Sequence, residues 1–216
     1  HMSYNDVNNF KISNYQKKFL INKNFTFHMP DYCDSNHILD FFSDNKLIRK
    51  KSINLLKETI KICNQISKIN KKKIKIIVSL SKLSFSGKTE DYYKKIKKLS
   101  QKLKFKNKTE LLPQWLPVKA WYFGGSADTK AFSNPQHLAY LKKINLKICL
   151  DISHFILSCN YYKLSPDLYY KKYKNLFMHY HFADAKGDDG EGLSLGKGSL
   201  IKLKLFKNIL DDKKKI

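Results

Sequence analysis

The chain predicts an α/β fold built on a parallel sheet, and three observations carry that prediction. Short apolar or β-branched runs alternate with longer segments of helical period along most of the chain. The run Ile74 to Leu80 is apolar and β-branched, as a strand buried on both faces requires. The 216 residues are 42% hydrophobic, which suits one globular domain with a sizeable core.

In chain order, His1-Met2 reads as a tag remnant, and residues 3–24 form a polar, asparagine-rich segment of weak periodicity. The remainder, 25–216, reads as one domain. Phe25 to Pro30 predicts a short strand ending in a loop. Residues 46–69 predict an amphipathic helix, because Leu47, Ile48, Leu55, Leu56, Ile60, Cys63 and Ile66 recur at helical spacing. After the strand 74–80, residues 90–105 predict a second helix with Tyr93, Ile96, Leu99 and Leu103 inward. Residues 109–114 give a strand, followed by a proline- and glycine-bearing loop from Trp115 to Asn134. Pro135 opens a helix to about Lys143. Leu146 to Ile152 is the next strand, then a helix near Pro166–Tyr173, then the strand Leu176 to Phe182. Gly187 to Gly198 is a glycine-rich acidic loop, and a last helix spans Leu200–Leu210.

The formal net charge of +24 invites a nucleic-acid reading, but Arg49 is the only arginine among 42 basic residues. Arginine makes the bidentate phosphate and guanine contacts, so its near-absence disfavours a sequence-reading protein. The charge should still attract anionic small molecules. No apolar run reaches transmembrane length, so no membrane partner is expected. Cys33, Cys63, Cys149 and Cys159 lack zinc-type pairing, a usage that fits a reducing cytoplasm.

Two strand ends concentrate chemistry: Leu150-Asp151-Ile152-Ser153-His154 and His179-Tyr180-His181-Phe182-Ala183-Asp184. Carboxylate and imidazole together bind divalent metals, so the pattern predicts a metal site shared between adjacent strands. Two unrelated His/Asp pairs at loop starts would give the same spacing.

With His28-Met29-Pro30 before them and Gly190-Glu191-Gly192 to Gly196-Lys197-Gly198 after, these motifs together resemble the xylose-isomerase-like TIM-barrel superfamily. That superfamily includes sugar-phosphate isomerases and epimerases and the endonuclease IV type of repair enzyme. Leu112-Pro113-Gln114-Trp115-Leu116-Pro117 and Trp121 to Gly125 are similar to a subgroup associated with sialic-acid-type surface-sugar biosynthesis.

The resemblance implies a TIM-barrel-like fold, apparently incomplete, with about five recognisable parallel strands. The first two strands and the last are not evident. It also implies a divalent metal (Mn, Mg, Co or Zn) held by Asp151 and His181, with Gln114 where the family has a glutamate. His154 would face substrate as a catalytic residue. His28 matches a third-strand histidine and would bind substrate, or is a hydrogen-bonded loop residue.

Gln114 is a poor metal ligand and cannot act as a base. The strand 74–80 leads into Ser79-Leu80-Ser81-Lys82 without the histidine that the endonuclease needs. Glu191 is the leading local base, or a solvated turn acid. Gly196 and Gly198 can offer N–H groups to a phosphate, or only start a helix. Asp184, Lys186 and Trp121 complete the expected substrate contacts, with Lys186 equally a surface lysine and Trp121 otherwise packed under the long loop.

The expected function is a metal-dependent sugar or sugar-phosphate isomerase or epimerase working through an enediolate. A non-catalytic scaffold or binding domain is the alternative, and endonuclease-like processing the third. An open sheet exposes edges, so a homo-oligomer or membership of a longer chain is expected.

Overall fold

The computed structural model describes residues 3–21, 23–106 and 109–211, so the tag-like His1-Met2 lies outside the described residues. Two compact units divide at Leu112/Pro113.

In the first unit, α1 (Tyr4–Asn8) and α2 (Asn14–Leu20) precede β1 (Thr26–His28), β2 (Tyr32–Asp34) and β3 (His37–Ile38). Then come α3 (Lys46–Asn70), β4 (Ile74–Val78), α4 (Thr89–Lys106) and β5 (Thr109–Pro113). The sheet order is β1-β4-β5, with β1 and β4 parallel and Phe27 opposite Ile76. Ile74, Ile76, Ile77 and Val78 are all fully buried, which explains why this strand was readable from its side chains.

Asn45 caps α3 by accepting the N–H groups of Leu47 and Ile48. The buried stripe of α3 runs through Ser52, Leu55, Leu56, Thr59, Ile62, Cys63 and Ile66. Leu47, expected inward, is exposed because it lies in the first turn, just inside the Asn45 cap. Asp40, also buried, ties the loop after β3 to α4. It accepts bonds from the Phe42 N–H, the Ser84 hydroxyl and the Tyr92 hydroxyl.

In the second unit, β6 (Lys119–Tyr122) and β7 (Gly125–Asp128) form a hairpin inside the stretch expected to be loop. Its two-residue turn uses Phe123 and Gly124, both at positive φ, the geometry that matches strand twist. A 3-10 turn, Pro135–His137, leads into α5 (Leu138–Lys143). Then follow β8 (Ile148–Asp151), α6 (Ile152–Tyr161), α7 (Pro166–Tyr173) and β9 (Phe177–His181). β10 (Asp184–Lys186) pairs with β11 (Gly190–Leu193), and α8 (Lys204–Leu210) ends the unit.

β8 and β9 pair in parallel, with Asp151 opposite His181, and Gln114 bridges in parallel to Cys149. The five expected strands are therefore present. Among the described residues no sheet closes on itself, in keeping with an incomplete barrel. The helix α6 had no counterpart in the sequence reading. It starts directly at the strand end, so Ile152 belongs to the helix and not to β8.

Candidate functional site

The second unit gathers the strongest candidates at the C-terminal ends of β8 and β9. Asp151 is the last residue of β8 and also the N-cap of α6, where its Oδ1 accepts the His154 N–H at 3.2 Å. The abrupt strand-to-helix change puts His154 in the first turn, one turn beyond Asp151. Parallel register brings His181 alongside.

Asp151 Oδ2 lies 3.6 Å from His154 Nδ1 and 3.6 Å from His181 Nδ1. It also accepts a 3.2 Å bond from Gln114 Nε2. Burial opposes ionisation of Asp151, but the bond from His181 and the charge and backbone N–H of His154 hold its carboxyl below the usual range.

His154 Nδ1 is 3.0 Å from the Trp115 carbonyl, to which it donates. Its Nε2 is then free to meet Glu191 Oε2 at 3.2 Å. Burial opposes the imidazolium. The Glu191 bond, the Asp151 charge and the Trp115 carbonyl outweigh it and raise the His154 pKa. Both ring nitrogens face acceptors, which is the environment of a cationic ring.

Glu191 comes from β11, and two bonds fix its backbone: its own N–H to the Asp189 carbonyl at 3.1 Å, and the Gly192 N–H to Ser153 Oγ at 3.0 Å. Ser153 precedes His154 on α6, so the hairpin is pinned beside the imidazole it serves. Ser153 itself was not singled out in the sequence, because its partner is 39 residues away. Beyond Glu191 opens a cleft of about 460 Å³ that Trp121 and Tyr161 also line. That volume falls within the range of about 300–1,000 Å³ for small-molecule sites.

Asp184, expected among the substrate contacts, has its oxygens turned to the protein's own backbone. It is fully buried and accepts four backbone N–H groups: Ala185 and Leu200 on Oδ1, Gly196 and Gly198 on Oδ2. Burial pushes its pKa up, yet these four bonds hold it below the ordinary value. The N–H groups of Gly196 and Gly198, expected to offer themselves to a phosphate, are thus taken by the protein's own carboxylate. Gly198 has no room for a side chain: a Cβ there would sit 2.2 Å from the Ala185 carbonyl oxygen.

Lys186 is exposed on β10. Trp121 is 73% exposed on the cleft wall. His28 belongs to the first unit, with Nδ1 2.7 Å from the Met29 carbonyl oxygen.

Among the described residues, no three His, Cys, Asp or Glu side chains are already grouped as a metal requires. Asp151 and His181 nevertheless fit as two ligands, a carboxylate oxygen and an imidazole nitrogen 3.6 Å apart, suited to a divalent cation. Gln114 presents its Nε2 to Asp151, so its amide would have to turn before its oxygen could join them.

The xylose isomerase-like TIM barrel family matches residues 17–215. No curated protein matches the chain in sequence. Among solved structures, the probable 3-DHS dehydratase AsbF of Bacillus anthracis, involved in petrobactin synthesis, matches with a TM-score of 0.54 at 16% identity. The match covers 86% of this chain and 61% of that one, so the chain spans about three-fifths of that structure's length. A likeness at this identity concerns the fold. Among the described residues no helix is long and apolar enough to cross a membrane.

Proposed function

This chain belongs to the xylose isomerase-like TIM-barrel family, and from that premise we propose that its second unit is a proton-transfer site for a sugar or sugar-derived substrate. The reaction class is isomerisation or epimerisation beside a carbonyl. One observation carries the reading: Glu191, which lines the cleft, meets His154 at 3.2 Å, with the far nitrogen of His154 anchored on the Trp115 carbonyl.

In this reading the two groups divide the work. Glu191, half-exposed at the cleft, takes the proton from carbon. His154, favoured as the cation, donates through Nε2 to the carbonyl oxygen and stabilises the enediolate. Asp151 holds the His154 ring by charge and by starting the helix that carries it. Asp151 and His181 would hold a divalent cation (Mn, Mg, Co or Zn), with Gln114 near them. When bound, such a cation supplies Lewis-acid polarisation of substrate oxygens. Trp121 offers a face for the sugar ring. The four free, buried cysteines fit a reducing compartment such as the cytoplasm. Open sheet edges favour assembly with a second copy or with further chain.

The test is deuterium uptake at carbon, followed by NMR, when the full chain is incubated with aldoses and a divalent metal in heavy water. His154→Asn and Glu191→Gln should each slow the exchange by about 10²–10⁴-fold. Exchange at the wild-type rate in either variant, or none with any sugar, overturns the catalytic reading. Metal is measured separately, by elemental analysis of the wild type against Asp151→Asn/His181→Gln. The asparagine keeps the helix cap while removing the anionic ligand.

Gln114 favours a second reading. A neutral amide donates to Asp151 where the family resemblance implies a glutamate. A domain that binds the sugar without turning it over would bind in the same assays and exchange nothing.

A further inference from the structure

The cleft beside Glu191 carries a charge pattern that deepens the proposed function and rests on it. Its acidic side is the turn of the β10/β11 hairpin, with Asp188, Asp189 and Glu191. Its aromatic side is Trp121, from the β6/β7 hairpin, and Tyr161, at the end of α6, with 73% and 46% of their surfaces exposed. Lys119 is the one basic residue in the lining. Asp128 stands directly across the hairpin from Lys119, so within that hairpin the two charges offset each other. With Glu191 paired to His154, the carboxylates of Asp188 and Asp189 are left as the net charge of the cleft. This is an anionic island on a chain whose formal charge is +24.

Exposed aromatic faces next to carboxylates recognise a cation that also carries apolar C–H surface. The ammonium forms charge-assisted hydrogen bonds with the carboxylates and sits over the electron-rich ring. A sugar phosphate would bring its own negative charge against the carboxylates of Asp188 and Asp189. We propose that the substrate of this site is an amine-bearing sugar, with its ammonium against Asp188 and Asp189 and its ring on Trp121. The phosphorylated sugars that overall charge would attract are disfavoured here by the carboxylates that line the cleft.

The experiment compares three probes on the full chain at about pH 6 by calorimetric titration: glucosamine, glucose and glucose 6-phosphate. One charge-assisted contact supports a preference of about tenfold or more for glucosamine over glucose. Glucose 6-phosphate should bind weakest. In Asp188→Asn/Asp189→Asn the preference should fall to within about threefold while glucose binding is kept, and Trp121→Ala should weaken glucosamine and glucose alike.

Glucose 6-phosphate binding as tightly as glucosamine overturns the proposal. So does a preference that survives the double variant, or the absence of binding by all three. The two readings fail in different ways. An amine preference without deuterium exchange removes the catalytic reading and supports this ligand class. Exchange on glucose or its phosphate with no amine preference removes the ligand class alone.

Discussion

Replacing Asp184 by asparagine changes one atom and should unfold a whole corner of the second unit. The carboxylate is fully buried and takes two N–H groups on each oxygen: Ala185 and Leu200 at 2.8 Å each on Oδ1, Gly196 at 2.9 Å and Gly198 at 3.0 Å on Oδ2. An asparagine keeps one oxygen and turns the other into an NH₂ group that faces two donors. Two buried backbone N–H groups then lose their acceptor. At about 1–3 kcal/mol for each unsatisfied group, the loss is about 2–6 kcal/mol.

Chemical denaturation measures that loss, and hydrogen exchange at the amides of Gly196, Gly198 and Leu200 locates it. The pH dependence gives an independent sign. The folded Asp184 pKa is lowered, so its contribution is present above the unfolded carboxylate value and is lost as pH falls through the folded one. The asparagine variant should lack that acid-side loss. A variant within about 1 kcal/mol of wild type, with unchanged exchange at those amides, would refute the account of Asp184 as the organiser of this loop.

Three further outcomes are expected. Ser153→Ala removes the acceptor of the Gly192 N–H and should cost about 1 kcal/mol while speeding exchange at Gly192; unchanged exchange there would show that the hairpin is held by something else. Because the His154 pKa is raised on folding, its stabilisation is complete below the unfolded value of about 6.5 and fades as pH rises through the folded value. The stability gap between wild type and His154→Asn should therefore shrink from pH 6 to pH 9, and a widening gap would contradict the charge assignment. Burial pushes the Cys63 thiol up to about 12, so it should resist maleimide in the native protein and react only after denaturation. Labelling at the rate of the unfolded chain would mean that its surroundings open readily.

The fold was readable where burial is one-sided or total. The five strands announce themselves because their inward residues are β-branched or apolar, and α3 because its buried stripe repeats at helical spacing. The helix α6 carries no such signal in its sequence, for the opposite reason. Ile152, Ser153, Phe155, Ile156, Leu157, Ser158 and Cys159 are all buried, so almost no polar face marks its period. The β6/β7 and β10/β11 hairpins sit in glycine-bearing stretches whose residues are mostly half or fully exposed, which leaves little alternation to read. At the site, Asp151, His154 and His181 were legible from their positions at strand ends. Asp184 has the same signature in sequence, but its partners lie as far as sixteen residues ahead, and only tertiary folding reveals that its oxygens are already taken.

Asp151 holds two offices at once: it ends a strand at the candidate centre and it initiates α6. Folding alone requires only a capping side chain there, which an asparagine would supply as well as the aspartate does. Glu191 starts no helix: its backbone is held through Asp189 and Ser153 whatever its side chain, and the side chain itself meets His154. On the proposed function, a substitution of Glu191 would therefore remove the base and leave these backbone bonds in place, whereas a substitution of Asp151 that cannot cap would disturb the candidate centre and α6 together.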